Sequence, residues 1–379
     1  MRFHVPAKIA GLAIFAISIL NPAFADEPSS TSTTPSGSPG VGASKAFNPD
    51  TSVNFLTLIQ RDTLRGNDRD RTPHNGMQLQ EAEVQFFSDV DPYFTANALF
   101  SISKKTGSTD FGIDPEEVYA ETTSIPVVTF KLGKFKAAFG KHNTLHTHAF
   151  PFIDAPLINQ DLFTDEGLNE AGVSASILVP TPWFTELTLQ GLGTGNETFL
   201  KSSNAGDIAQ LVNLRNLWDL SNSTTVEWAL YGIRGASAFS ANSNAYGTDL
   251  ILKWRPEEGG KYHALVFANE YINALVSQAG LVNAASFTRE RLGGLASWLQ
   301  YQFAERWWIQ GRGEYEGIPH SAAFAIKRKQ SALLGFNFSE FSAFRLQGDH
   351  QLTDGGSPHE YRIALQWNIT IGAHPAHSY

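Results

Sequence analysis

The sequence predicts an all-β fold, a transmembrane antiparallel β-barrel of about 16 strands. Three observations point there. Short segments alternate apolar and polar residues at period two, and most run nine to thirteen residues, long enough to cross a bilayer as strands. The connections between these segments alternate between short and long. Beyond the N-terminal segment no stretch stays apolar for the roughly 18 residues that a membrane-spanning helix needs.

Residues 1–25 read as an export signal. Arg2 and Lys8 give a basic start, "IAGLAIFAISIL" gives an apolar core, and Ala23-Phe24-Ala25 fits the small-x-small cleavage rule. Residues 26–46 contain "EPSSTSTTPSGSPGVGASKA", with almost nothing to bury, and are expected to form a disordered linker. No comparable break divides residues 47–379, which are expected to form the barrel domain. The chain has no Cys, so no disulfide staples it. Without Arg2 and Lys8 of the signal, the 28 basic residues fall to 26, against 37 acidic ones. That balance argues against nucleic acid as a partner, because phosphate binding needs a basic face.

The strand segments lie near 51–60, 78–88, 92–102, 115–124, 127–136, 170–179, 183–192 and 209–219, then 223–234, 244–254, 261–271, 290–303, 306–316, 328–338, 342–352 and 359–371. In "YRIALQWNITI", Tyr361, Ile363, Leu365, Trp367, Ile369 and Ile371 oppose Arg362, Gln366, Asn368 and Thr370. Segments 51–60 and 261–271 alternate poorly, which leaves room for 14 or 18 strands. Seven connections are short, and Tyr93, Phe94, Trp183, Phe184, Trp307, Trp308, Phe341 and Phe344 gather beside them. Amphipathic rings prefer the headgroup level, so these residues are expected to form an interfacial girdle. Closure follows from the bilayer, where an open sheet edge would leave backbone groups unpaired at several kcal/mol each. The pattern places the protein in the outer membrane of a Gram-negative cell, with outer-membrane lipid and the outer-membrane assembly machinery as partners.

The stretch "KLGKFKAAFGKHN" resembles outer-membrane porins, especially the group of phosphate-selective porins O and P. Leu132, Gly133, Lys134, Phe135 and Lys136, then Phe139-Gly140, carry the resemblance, with "PFIDAPLINQDLF" and "EGLNEAGVSAS" downstream. It implies a sixteen- to eighteen-stranded diffusion channel, commonly trimeric, whose long third extracellular loop folds inward. The lumen expected here departs from a phosphate channel. Its basic candidates Lys131, Lys253, Arg312, Arg345 and Arg362 are balanced by Glu81, Glu83, Glu121, Glu186, Asp249 and Glu314. The chain ends in the aromatic Tyr379, as porins tend to, but Gly372 and Pro375 interrupt the last strand before it.

The longest connection, 137–169, is the leading functional candidate, because a loop of that length is uncommon without a task. Asp154, Asp161, Asp165 and Glu166 are expected to set pore selectivity by facing lumen bases such as Lys131, Arg312 and Arg345. His142, His146 and His148, completed by Asp154, are a second candidate set, for zinc. His374 and His377 of "GAHPAHSY" read as a polar tail. No G-x-S-x-G, H-E-x-x-H or Cys nucleophile is present, so catalysis and an obligate cofactor are not expected. The leading reading is a water-filled channel for passive diffusion of small hydrophilic solutes or ions. The alternatives are a zinc-related uptake channel or receptor using the histidine loop, and a structural or adhesive barrel that conducts nothing.

Overall fold

A computed structural model describes residues 49–63, 75–104, 110–163, 167–195, 199–202, 204, 206–237, 242–279, 287–355 and 359–372. The expected signal peptide and linker, together with Asp165, Glu166, His374, His377 and Tyr379, lie outside the described residues.

Sixteen strands follow one another: β1 (Asp50–Asp62), β2 (Gly76–Asp91), β3 (Phe94–Lys104), β4 (Phe111–Thr122), β5 (Val128–Lys136), β6 (Asn169–Leu178), β7 (Phe184–Leu192) and β8 (Ala209–Ser221). Then come β9 (Thr224–Ala236), β10 (Asn242–Trp254), β11 (Ala264–Ala279), β12 (Phe287–Ala304), β13 (Trp307–Glu316), β14 (Lys327–Ser339), β15 (Ser342–Thr353) and β16 (Glu360–Gly372). Each pairs antiparallel with its sequence neighbours, and β1 pairs with β16 from Ser52↔Gly372 to Asp62↔Arg362, which closes the barrel. Among the described residues no helix is long and apolar enough to cross a membrane.

The outside-in distribution of apolar residues is the reverse of a soluble protein's. Ile309, Leu334, Leu346, Leu365 and Ile59 lie in register across five strands, all exposed on the outer face. Glu83, Gln85, Asn97, Gln347 and Gln366 are buried on the inner face. An apolar outer belt suits hydrocarbon, and a polar inner face suits a lumen. One row from the short turns, Trp307, Phe336, Phe344 and Trp367 stand side by side, with centroids 4.5 Å apart for the first pair and 5.5 Å for the last. Trp183, Trp218 and Trp228 continue the girdle, at 6.1 and 6.5 Å. Trp308 does not belong to it. Strand alternation turns it to the lumen opposite Trp307, where it lies over Gly335 and leaves no room for a Cβ there.

The two poorly alternating segments are strands for which the lumen side is apolar. Leu58 of β1 packs with Leu333, Ala364, Phe152 and Ile153. Ile272, Ala274 and Val276 of β11 pack in a larger cluster with Phe139, Ile158, Leu162 and Phe163. Phe152 and Ile153, and Phe139, Ile158, Leu162 and Phe163, come from the connection between β5 and β6, called L3 below (137–168). The period-two signal of 51–60 fades where L3 lands, because a lumen face that receives an apolar loop is no longer polar. Within 261–271, Val266 and Ala268 pack on Ile251 and Trp298 of the neighbouring strands, and the apolar contacts of L3 with β11 begin only beyond residue 271.

L3 leaves the wall at Lys136 and runs inside the barrel. Its neck is closed by the Ala137 amide donating to Leu168 O at 2.9 Å. Asn143 staples the same point, donating to Ala137 O (2.8 Å) and Leu168 O (3.0 Å) and accepting from the Leu168 amide (2.6 Å). Gly140 turns the chain at φ +78°, where a Cβ would meet Glu270 Oε1 at 2.4 Å, so only glycine fits. Two 3-10 turns (His142–Thr144 and Thr147–Ala149) and a short helix, α1 (Leu157–Phe163), order the rest of the loop.

Candidate functional site

The described charged residues of L3 meet the wall in three places, each of opposite charge. Lys141 comes first. Its amide donates to Asp249 of β10 at 2.6 Å and its ammonium lies 3.8 Å from Glu227 of β9.

The histidines come next, against β2 and β4. His146 Nδ1 is 2.9 Å from Glu116 Oε2, and its Nε2 is 3.2 Å from Glu117 Oε2. His148 Nδ1 contacts Glu83. The two rings stack with centroids 6.0 Å apart and planes 1° from parallel. Burial opposes a charge on His146, but its two carboxylate partners outweigh that and push it up to about 10. Two consecutive glutamates can face one ring only because β4 carries a β-bulge. Leu99 pairs with Glu117 and Phe100 with Pro115, so Glu116 is the extra residue and both carboxylates turn inward. His142 lies apart from this group, its ring 4.4 Å from that of Phe150, and burial holds it down to about 3. Of the three histidines in the zinc expectation, only His146 comes within ligand distance of two other donors, Glu83 and Glu116.

The acidic end of L3 meets the basic arc of β13 to β16. Asp154 accepts from Arg312 Nη2 at 3.0 Å and from Lys329, and is ion-paired with Arg362 Nη2 at 3.0 Å. Gln347 Nε2 donates to the same carboxylate at 2.8 Å. Burial alone would raise the Asp154 carboxyl, but Arg362, Lys329 and Arg312 hold it well below the usual carboxylate range. Arg312 also pairs with Glu314 at 2.8 Å and lies 4.4 Å over the Phe152 ring. Arg345 donates to Phe150 O (2.5 Å) and Gln366 Oε1 (2.6 Å). The Leu157 amide donates to Glu314 at 2.6 Å, and Asp161 pairs with Lys327.

The expected charge partners thus divide. Asp154 and Arg312 meet directly, Arg345 holds the backbone next to them, and Asp161 meets Lys327. Lys131 stands elsewhere, near the start of β5, 3.4 Å from Glu121 and 4.1 Å over the Tyr119 ring. The pattern missed Lys329, Glu116 and Glu117. For the glutamates a signal exists in the sequence: Pro115 inside a strand marks an edge or a bulge, and a Glu-Glu pair beside it breaks strict alternation.

A closed sixteen-stranded barrel with its third long connection laid across the lumen has the fold of outer-membrane porins. Among solved structures, the outer membrane channel DcaP of Acinetobacter baumannii matches with a TM-score of 0.58 at 10% identity, covering 86% of this chain and 96% of that one. An anion-selective porin from Comamonas acidovorans matches at 0.57 and 7% identity (85% and 98% covered). OprB of Pseudomonas putida matches at 0.55 and 8% identity (85% and 94% covered). In sequence, the chain is 27% identical over 352 residues to an uncharacterized protein of Aquifex aeolicus (strain VF5), covering 80% of this chain and 70% of that one. No family model matches the chain.

Proposed function

We propose that the protein is an outer-membrane porin, a water-filled channel for passive diffusion of small hydrophilic solutes or ions, narrowed by L3. The observation that carries this reading is a closed barrel, apolar outside and polar inside, with a buried loop pinned across its lumen. Sixteen strands leave an aqueous interior that side chains of the wall cannot fill. A loop fixed inside it therefore sets the width and charge of the path. Solutes pass a basic arc (Arg312, Lys327, Lys329, Arg345, Arg362) beside an acidic one (Glu81, Glu83, Glu116, Glu117), and charge at such close range filters ions. The similar solved structures named as channels and porins support the reading at the level of fold. In the same reading the protein acts without catalysis, sits in the outer membrane of a Gram-negative cell and assembles as a homotrimer.

Purified, folded protein in a planar bilayer is expected to give stable ohmic single-channel steps in chelator-treated buffer. Absence of steps from protein with verified β-sheet circular dichroism contradicts the channel and favours a structural barrel.

A further inference from the structure

The apolar belt of the outer wall ends in a basic collar that conduction does not require. Arg61 of β1, Lys104 of β3, Arg234 of β9, Arg291 of β12 and Arg328 of β14 are all exposed. By strand alternation they share the outward face with the exposed Ile59, Phe94, Leu230, Leu295 and Leu334. They stand 10 to 13 residues from the strand ends opposite the long connections, which are Asp50, Phe94, Thr224, Ala304 and Ser339. At the usual rise and tilt of a barrel strand that is roughly 25–35 Å along the axis, level with the top of an apolar band about 25 Å tall. Lys134 stands lower, six residues from Val128, and is not part of the collar. The whole chain has 28 basic against 37 acidic residues, so its composition does not account for a basic collar.

Beside Arg61 the collar is concave. Between β14 and β1 the outer face sinks into an open depression of about 570 Å³, whose lining includes Arg61, Ala332, Gly348, His350, Tyr361 and Ile363. Ala332, Gly348, Ile363 and Arg61 lie in register as its floor, directly above the row of Leu334, Leu346, Leu365 and Ile59. A Cβ on Gly348 would meet nothing within 4 Å. His350 and Tyr361 stack at 4.7 Å one row higher. Arg328 pairs with Asp354 at 3.7 Å, whereas among the described residues Arg61 has no hydrogen-bond or ion-pair partner. A lone guanidinium at the edge of the hydrocarbon is matched by phosphate, which accepts two of its N–H groups at once.

We propose that this depression binds a phosphorylated lipid of the outer leaflet, its phosphate on Arg61 and its acyl chains over Gly348, Ala332 and the leucine row beneath them. The charge of the collar sets the sign of the occupant, and its spread sets the kind. β1 and β9 lie on opposite sides of the sixteen-stranded ring. An interface between copies covers one sector of the wall and leaves Arg61 or Arg234 unexplained, whereas lipid surrounds the whole barrel. Acyl chains need an apolar floor next to the charge, and the depression places one there. The inference rests on the outer-membrane placement proposed above and not on conduction.

The test uses the folded, delipidated chain in an uncharged detergent and counts bound lipid by native mass spectrometry. The probes are dilauroyl phosphatidic acid and dilauroylglycerol, which carry the same chains with and without the phosphate. Wild type is expected to bind the first phosphatidic acid at least roughly tenfold more tightly than the diacylglycerol. Arg61→Gln is expected to abolish that preference. Gly348→Leu places an apolar side chain in open space on an apolar face, so it is expected to fold and to weaken binding of both lipids. Arg234→Gln, on the opposite wall, is expected to leave the first binding event unchanged. The proposal is overturned if wild type does not distinguish the two probes, or if Arg61→Gln keeps the preference. An altered oligomeric state of Arg61→Gln with its lipid preference intact also overturns it, and gives the face to a second copy. Lipid mass is read without conductance, so the site and the channel can fail separately.

Discussion

The two ends of L3 are held by walls of opposite sign. At the basic arc, one carboxylate, Asp154, faces Arg312, Lys329 and Arg362, and Gln347 completes its contacts. At the acidic arc, His146 lies between Glu116 and Glu117, and His148 contacts Glu83. Asp154 joins Glu314 and Asp349 in balancing its wall and works as a lock shared by three cations, while each histidine of the other wall serves its own carboxylates. The described acidic residues of the loop, Asp154 and Asp161, pair with arginine and lysine of the wall.

The largest expected effect breaks the locked side. Asp154→Asn leaves three cations facing one another without their common partner, and removing one member of a buried ion pair typically costs about 3–5 kcal/mol. Thermal unfolding followed by circular dichroism is expected to show a marked loss, and an unchanged midpoint would mean that L3 is held by its apolar contacts alone. Acid reaches the same lock by another route. The folded Asp154 carboxyl titrates well below its ordinary value of 3.8, so its contribution is fully present above that pH and is lost only as the pH falls beneath it. Channel properties governed by the loop are accordingly expected to hold from neutral pH down to about 4, and a transition near pH 6 would assign docking to another group.

The same chemical change on the other wall sharpens the contrast. Glu83→Gln removes the carboxylate partner of a single histidine, His148, and is expected to cost less than Asp154→Asn, whose carboxylate serves three cations. A loss as large as that of Asp154→Asn would show that the two walls hold the loop equally. The smallest effect belongs to Lys131→Ala. Its partly exposed pair with Glu121 is worth at most about 1 kcal/mol, and it lies away from both arcs. A reversal potential unlike the wild type's would place Lys131 in the ion path after all.

What the sequence made legible follows the same division. Strand number and order could be read, because lipid on one side and a polar lumen on the other impose period two on nearly every crossing. L3 could be read as the longest connection, and Asp154 and Arg312 as charges of the loop and the wall that face each other. The partner sets could not. Which lumen base meets Asp154 depends on the closure of β16 on β1 and on where α1 lands, both set by distant residues. Glu116 and Glu117 were hidden by a bulge that suspends alternation at the point where it matters. The weak alternation of 51–60 was itself a signal: it marked the wall on which Phe152 and Ile153 settle.

The central claim is that Asp154 holds L3 across the lumen by pairing with the cations of the basic arc. It is tested most directly by comparing single-channel conductance and salt-gradient reversal potential of Asp154→Asn and wild type, in chelator-treated buffer at neutral pH. The account predicts a larger conductance and a reversal potential shifted toward anions, as the loop loosens and Arg312, Lys329 and Arg362 lose their shared carboxylate. Identical conductance and reversal potential in the two proteins would contradict it.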